Sequence, residues 1–111
     1  MATTWLTLDS RKSAAVARIS RGISGLRKDL ADYAQNTGGT FLIYGSAARG
    51  DYRYDSDVDI IVDFPLEKES DAWRFAEDAC RKHGLAPDVR PKRLCEKKFI
   101  DHIAGDAEHI S

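Results

Sequence analysis

The sequence contains no apolar run near the ~18 residues that a membrane-spanning helix requires, and its beginning lacks the hydrophobic block of a signal peptide. It has only two cysteines, Cys80 and Cys95, whose separation matches neither a metal-binding pair nor a secreted disulfide framework. These absences predict a cytoplasmic protein with free thiols and no membrane association. The three histidines are scattered along the chain, and we interpret them as surface residues: His83, His102 and His109.

An excess of charge of either sign is also missing, because 17 basic and 18 acidic residues leave a formal charge of −1. A protein without a basic field gains little non-specific affinity for nucleic acid, which argues against a nucleic-acid partner. Local basic clusters occur at Arg11-Lys12 and over 90–98. The second cluster either lines a site or is a solvated helix face, and we favour the solvated face. With 111 residues and no repeats or linkers, we expect a single domain over 1–111.

A long helix is predicted for the first third of the chain. Apolar residues recur at intervals of three and four from Val16 to Tyr33, which is the period of a helix with one buried face. Asp9 or Ser10 could cap its start, and Gly38-Gly39 would end it. Two glycines inside this helix, Gly22 and Gly25, mark either a kink or a close crossing over another helix.

Alternating patterns and turn residues predict three strands and two further helices. The strands are expected over 40–44, 57–64 and 85–90, one helix over 67–83, and a last helix from Pro91 onward. The last helix would bury Leu94, Phe99, Ile100 and Ile103. With a short helix over 46–50, the order α-β-α-β-α-β-α predicts an α/β (α+β) fold. We expect a small mixed sheet of three or four strands, with helices packed on one face and carboxylates on the other.

The most informative stretch is Gly45-Ser46-Ala47-Ala48-Arg49-Gly50, followed after five residues by Ser56-Asp57-Val58-Asp59. In a strand, residues i and i+2 share a face and lie ~6.6 Å apart, so Asp57 and Asp59 would point the same way. Two adjacent carboxylates repel each other, and a divalent cation such as Mg²⁺ removes that repulsion with oxygen ligands. The spacing therefore favours a cation site.

The glycine-serine turn would supply an anion cradle beside that site. Gly45 has no Cβ, so backbone N–H groups can approach a phosphate, and Ser46 offers a hydroxyl. Residues 46–50 could open a short helix whose N-terminus favours negative charge. Arg49 and Arg53 could neutralise the phosphates, or one of them could pair with a nearby aspartate and lock the turn. Either fragment alone would be a turn or a solvated strand edge, whereas together they predict a triphosphate site.

This string resembles the signature of the nucleotidyltransferase superfamily with the DNA polymerase beta palm, and within it the minimal nucleotidyltransferase (MNT) type. The resemblance implies that nucleotide-binding residues are Gly45, Ser46, Arg49 and Ser56. It implies that Asp57 and Asp59 bind Mg²⁺ or Mn²⁺. The family uses a third catalytic carboxylate on a later strand, and the match here is Asp88. Pro87 is unusual in a central strand, so an aspartate in a loop is the competing interpretation.

The resemblance also implies a reaction and a partner. ATP would donate AMP to an acceptor hydroxyl, with Asp57, Asp59 and Asp88 as catalytic residues and metal ligands. Minimal nucleotidyltransferases are often paired with a small helical HEPN-type toxin, which the nucleotidyltransferase neutralises by attaching AMP to a toxin hydroxyl. Two alternatives remain open. One is a non-catalytic nucleotide-binding module that masks its partner, and the other is a transferase that acts on small molecules.

Overall fold

The computed structural model describes the backbone of residues 2–49 and 57–111 and the side chains of residues 14–45, 47–48 and 57–111. The elements in these ranges are α1 Ala2–Thr37, β1 Thr40–Tyr44, α2 Ser46–Arg49, β2 Asp57–Asp63, α3 Leu66–Lys82, β3 Ala86–Pro91, α4 Lys97–Ile103 and β4 Glu108–Ile110. The predicted order is confirmed, and a fourth strand follows it. None of the helices in the described ranges combines the length and apolarity needed to span a bilayer.

The strands form one mixed sheet in the order β3-β2-β1-β4. β1 pairs antiparallel with both β2 and β4, whereas β2 and β3 run parallel. The register sets Tyr44 of β1 opposite Asp59 of β2, and Asp59 opposite Asp88 of β3. The predicted α/β fold with a small mixed sheet is confirmed. In this register, β1 and β3 flank β2 at Asp59.

The main core lies between one face of the sheet and the helices α1 and α3. The apolar stripe of α1 supplies Leu26 and Leu30, both fully buried, and each such side chain contributes roughly 1.5–3 kcal/mol when removed from water. The buried residues of this core are Ile23, Leu26, Leu30, Ala34, Phe41, Ile43, Ala47, Val58, Ile60, Val62, Phe64, Ala72, Ala76, Ala79, Cys80, Leu85, Val89 and Ile110. This core holds the sheet rigid behind the carboxylates.

A second, smaller core lies on the opposite face of the sheet, where the prediction placed no helix. Leu42, Tyr44 and Ile61 are buried there with Ile103 of α4. The strands β1 and β2 are therefore covered on both faces, which explains their nearly continuous apolar runs. The prediction that all helices pack on one face of the sheet was thus wrong for α4. This helix packs on the opposite face because the apolar side chains there would otherwise be exposed to water.

The start of α1 and the junction between β3 and α4 differ from the sequence prediction by several residues. α1 begins at Ala2 rather than after a cap at Asp9 or Ser10. Pro91 ends β3 instead of opening a helix, and a 3-10 turn at Lys92–Leu94 precedes α4. Leu94 lies in that turn and is 65% exposed, so its predicted place in the core is wrong.

The glycines of α1 mark a close crossing with the end of α3. A Cβ built on Gly22 would lie 2.7 Å from the His83 carbonyl oxygen, and one built on Gly25 would lie 2.5 Å from the His83 ring. The ring is partly buried and lies 2.8 Å from Oδ2 of Asp29. That hydrogen bond is the main cause that lowers the pKa of Asp29. The interpretation of His83 as a surface residue was wrong, because its contacts join α1 to α3.

Only part of the basic cluster over 90–98 is the solvated helix face that we favoured. Lys97 and Lys98 are exposed at the start of α4, whereas the other basic residues lie in β3 and the 3-10 turn. Arg93, in the 3-10 turn, donates from Nε to both carboxylate oxygens of Glu69 at 2.9 Å, and Glu69 is only 6% exposed. Lys92 lies 3.3 Å from Asp63. Lys92 and Arg93 therefore link the 3-10 turn to β2 and α3. Arg90 lies on the face of β3 that also carries Asp88, which we call the carboxylate face.

Candidate functional site

Two carboxylates meet where β2 and β3 run side by side. Asp59 lies opposite Asp88 in the parallel register. Side chains alternate along a strand, so Asp57 shares the face of Asp59, while Val58 and Ile60 point into the main core. The structure therefore brings the three predicted acids to one face of the sheet, on the side away from α1 and α3.

Electrostatics at this cluster are unfavourable without a counter-charge. The pKa of Asp59 is raised to about 6. Burial is the largest cause, and the charge of Asp88, a hydrogen bond with Asp88 and the charge of Asp57 add to it. Burial also raises the pKa of Tyr44, and the charges of Asp59 and Asp88 add to this effect. Like charges at one site disfavour ionisation, so a proton or a cation stabilises this arrangement.

Gly45 brings the backbone of the turn against this cluster. It follows β1 directly and has a φ of +74°, in the left-handed region that glycine adopts without steric cost. A Cβ built on Gly45 would lie 2.6 Å from Oδ2 of Asp59. α2 begins at the next residue, as predicted for 46–50, and buries Ala47 in the main core. The predicted anion cradle and the carboxylates therefore adjoin.

Four of the polar residues predicted around the nucleotide cannot be placed by side chain. Ser46 and Arg49 belong to α2, but their side chains lie outside the described residues. Ser56 and Arg53 fall in 50–56, which also lies outside them. Their contacts with a nucleotide stay predictions that rest on the motif.

Sequence reasoning missed Tyr44 as a site residue. For Arg90 it favoured a solvated position, although it left open that the basic cluster over 90–98 lines a site. Tyr44 lies opposite Asp59 and packs edge-on against Phe99, with ring centroids 5.5 Å apart. Nε of Arg90 lies 3.6 Å from Oδ1 of Asp88. The alternation of β3 from Asp88 to Arg90 could have indicated this shared face, whereas the pairing of Tyr44 with Asp59 needed the register.

The ligand chemistry of the cluster fits a divalent cation. Carboxylate oxygens are the ligands that Mg²⁺ and similar hard cations take, and Mg²⁺ commonly uses only one or two of them. In the parts of the chain that the structure describes, no three His, Cys, Asp or Glu side chains are already arranged to hold a metal ion. Asp57, Asp59 and Asp88 thus supply the right atoms and charge, and their role as one ligand set stays a prediction.

The fold and this face together define an α/β domain that presents carboxylates on adjoining strands beside a glycine turn. The sequence model of the family described as "Nucleotidyltransferase domain" matches residues 23–108. The chain belongs to this nucleotidyltransferase family, as its motif suggested. No curated protein matches the chain.

Two solved structures are similar to this chain. One, described as a "putative minimal nucleotidyltransferase", is 22% identical with a TM-score of 0.56, and the match covers 74% of this chain and 86% of that one. A nucleotidyltransferase from Sulfolobus solfataricus, also described as putative, is 21% identical with a TM-score of 0.44. The match covers 86% of this chain and 84% of that one. The first likeness shows a common fold.

Proposed function

We propose that this chain is a metal-dependent nucleotidyltransferase that transfers AMP from ATP to a hydroxyl of a protein acceptor. The observation that carries the proposal is the meeting of Asp59 and Asp88 across β2 and β3, beside the backbone of Gly45. Family membership supports nucleotidyl transfer in general. The choice of ATP as donor, of a divalent metal and of a protein acceptor goes beyond what family membership supports.

The reaction requires one bond to form and one to break. The acceptor oxygen bonds to the α-phosphorus of ATP, the bond from that phosphorus to the oxygen bridging to the β-phosphate breaks, and pyrophosphate leaves. The backbone at Gly45 and the hydroxyl of Ser46 would hold the phosphates in place, because positioning and charge stabilisation dominate phosphoryl chemistry. Asp88, at the edge of the cluster, would receive the proton of the acceptor hydroxyl.

Asp57, Asp59 and Asp88 would hold Mg²⁺ or Mn²⁺. When bound, such cations neutralise the carboxylates and the charge that develops on the phosphate oxygens. The register of β2 and β3, which sets Asp59 opposite Asp88, supports this part of the proposal. Arg49 and Ser56, through the family motif, would add contacts to the triphosphate.

The acceptor is proposed to be a small helical HEPN-type protein, so that the chain acts as an antitoxin. The choice of this acceptor rests on analogy with the minimal nucleotidyltransferases. A hydroxyl of a small molecule is the competing acceptor. A gene for a small all-helical protein next to the gene for this chain would support the protein acceptor, and its purified product is then the substrate to test.

Calorimetric titration with ATP and Mg²⁺ tests the nucleotide site. We expect saturable binding by the wild type, and a loss of binding and of transfer in the double variant Asp57→Asn, Asp59→Asn. A matched control is Asp101→Asn, on the exposed surface of α4, which should bind as the wild type does. Absence of binding by the wild type at millimolar ATP would overturn the proposal.

Two observations favour a second candidate function. The described side chains hold no ready three-ligand metal group, and Arg90 contacts Asp88, which suits a module that masks a partner without catalysis. The same double variant distinguishes the two functions. If the double variant neutralises the partner as well as the wild type does, the chain acts by masking. If neutralisation is lost while the complex still forms, the chain acts by nucleotidyl transfer.

A further inference from the structure

Arg90 is the basic side chain closest to the carboxylate pair among the described residues. It follows Asp88 by two positions in β3, so the two side chains share one face. Nε of Arg90 lies 3.6 Å from Oδ1 of Asp88. The guanidinium carbon also lies 5.8 Å from the ring centroid of Phe99, within the range of a cation–π contact.

The neighbouring cations of this segment are engaged elsewhere. Lys92 pairs with Asp63 and Arg93 with Glu69, at the other end of β2 and on α3. The positive charge that acts on the cluster of Asp59 and Asp88 in the described ranges therefore comes from Arg90, whose charge opposes the repulsion at Asp59.

We propose that Arg90 is an internal counter-ion that holds Asp88 in the metal-free protein and is displaced when a divalent cation binds there. The contact between Arg90 and Asp88 and the metal complex of Asp88 thus exclude each other. This inference rests on the proposed function, because it takes Asp88 as a metal ligand.

Electrostatics favour displacement of Arg90 by the divalent cation over simultaneous contact of both with Asp88. A guanidinium and a divalent cation on one carboxylate repel each other. At ~5 Å in a water-like dielectric, their interaction energy corresponds to about a tenfold change in affinity. The side chain of Arg90 is 54% exposed, so it can leave toward solvent without breaking the core. The ring of Phe99 offers a nearby position where the charge is still stabilised.

The inference predicts opposite effects on two measurements. Removing the charge should tighten metal binding, because the competing cation is gone, and should lower the stability of the metal-free protein, because the aspartates lose their counter-ion. A merely structural role would weaken both. A phosphate-binding role would leave metal affinity unchanged in the absence of nucleotide.

The test is a calorimetric titration with Mn²⁺ in the absence of nucleotide, together with melting in EDTA. Arg90→Gln should bind Mn²⁺ about tenfold more tightly than the wild type and melt at a lower temperature in EDTA. Arg90→Lys should keep the wild-type affinity. Arg74→Gln, which removes an exposed arginine of α3, is the matched control and should change neither quantity.

A double-mutant comparison places the effect at Asp88. In the background Asp88→Asn, the substitution Arg90→Gln should no longer tighten Mn²⁺ binding, because coupled residues show non-additive effects. Equal or weaker binding by Arg90→Gln, with binding by the wild type intact, would overturn the counter-ion role alone. A wild type that binds no Mn²⁺ would overturn the metal-dependent function as well.

Discussion

Replacing Asp59 with asparagine should stabilise the metal-free protein above neutral pH. Burial and the neighbouring acids raise the pKa of Asp59 from 3.8 to about 6, which corresponds to about 3 kcal/mol at ~1.4 kcal/mol for each tenfold change in proton affinity. Asp59 is partly exposed, and screening by solvent reduces this to roughly 1–3 kcal/mol. Asparagine keeps the shape of the side chain and removes the charge.

The sign of this effect depends on pH. The raised pKa means that the folded protein binds the proton of Asp59 more tightly than the unfolded chain does. The wild type is therefore most stable, with respect to this group, below pH 3.8, and it loses that stability as the pH rises to about 6. Asp59→Asn lacks this loss, so its advantage should be near zero at pH 4 and complete at pH 8.

The assay is thermal unfolding in EDTA at several pH values. For a domain of this size, 1 kcal/mol shifts the melting temperature by about 4 °C, so we expect Asp59→Asn to melt roughly 4–12 °C higher than the wild type at pH 8. Asp101→Asn on the surface of α4 is the control and should show no such gain. An equal or lower melting temperature for Asp59→Asn at pH 8 would refute the reasoning.

Four further substitutions test the frame around the site. Gly45→Ala and Gly84→Ala both place alanine at a positive φ and should each cost about 1–2 kcal/mol in urea unfolding, but only Gly45→Ala should also weaken ATP binding, because only its Cβ meets a site carboxylate. Gly22→Ala should destabilise by roughly 1–3 kcal/mol, since its Cβ would lie 2.7 Å from the His83 carbonyl oxygen; unchanged unfolding would contradict the close crossing. Arg93→Ala leaves its buried carboxylate partner unpaired and should cost roughly 1–3 kcal/mol in the same assay.

Local patterns were sufficient to predict the elements around the motif. The apolar runs and the glycine-serine turn predicted β1, α2 and β2, because strand alternation and turn chemistry act over a few residues. They also predicted that Asp57 and Asp59 share a face. The position of α4 and the exposure of Leu94 could not be predicted, since the patterns of a short helix and a 3-10 turn overlap, and the outcome depends on which sheet face still lacks cover.

Pro87 shows how a correct local rule can mislead. A proline argues against a central strand because it cannot donate a ladder hydrogen bond. In the sheet that the described residues form, β3 is an edge strand paired with β2, so Pro87 and Pro91 can lie where no strand of this sheet needs their N–H groups. The doubt about Asp88 came from assuming a central position, which only the strand order could decide.

The two faces of the sheet support different tasks, and this separation explains how the chain tolerates its carboxylates. The core under α1 and α3 is built from fully buried apolar side chains such as Leu26 and Ile60, and it is the larger of the two cores. The opposite face has a small core with charged residues at its border. Since the repulsion at Asp59 is a few kcal/mol at most, the first face can hold the strands in register while the second stays poorly neutralised. Carboxylates that repel each other on a well-packed backbone are suited to bind a cation, because the cation removes the repulsion without a reorganisation of the fold.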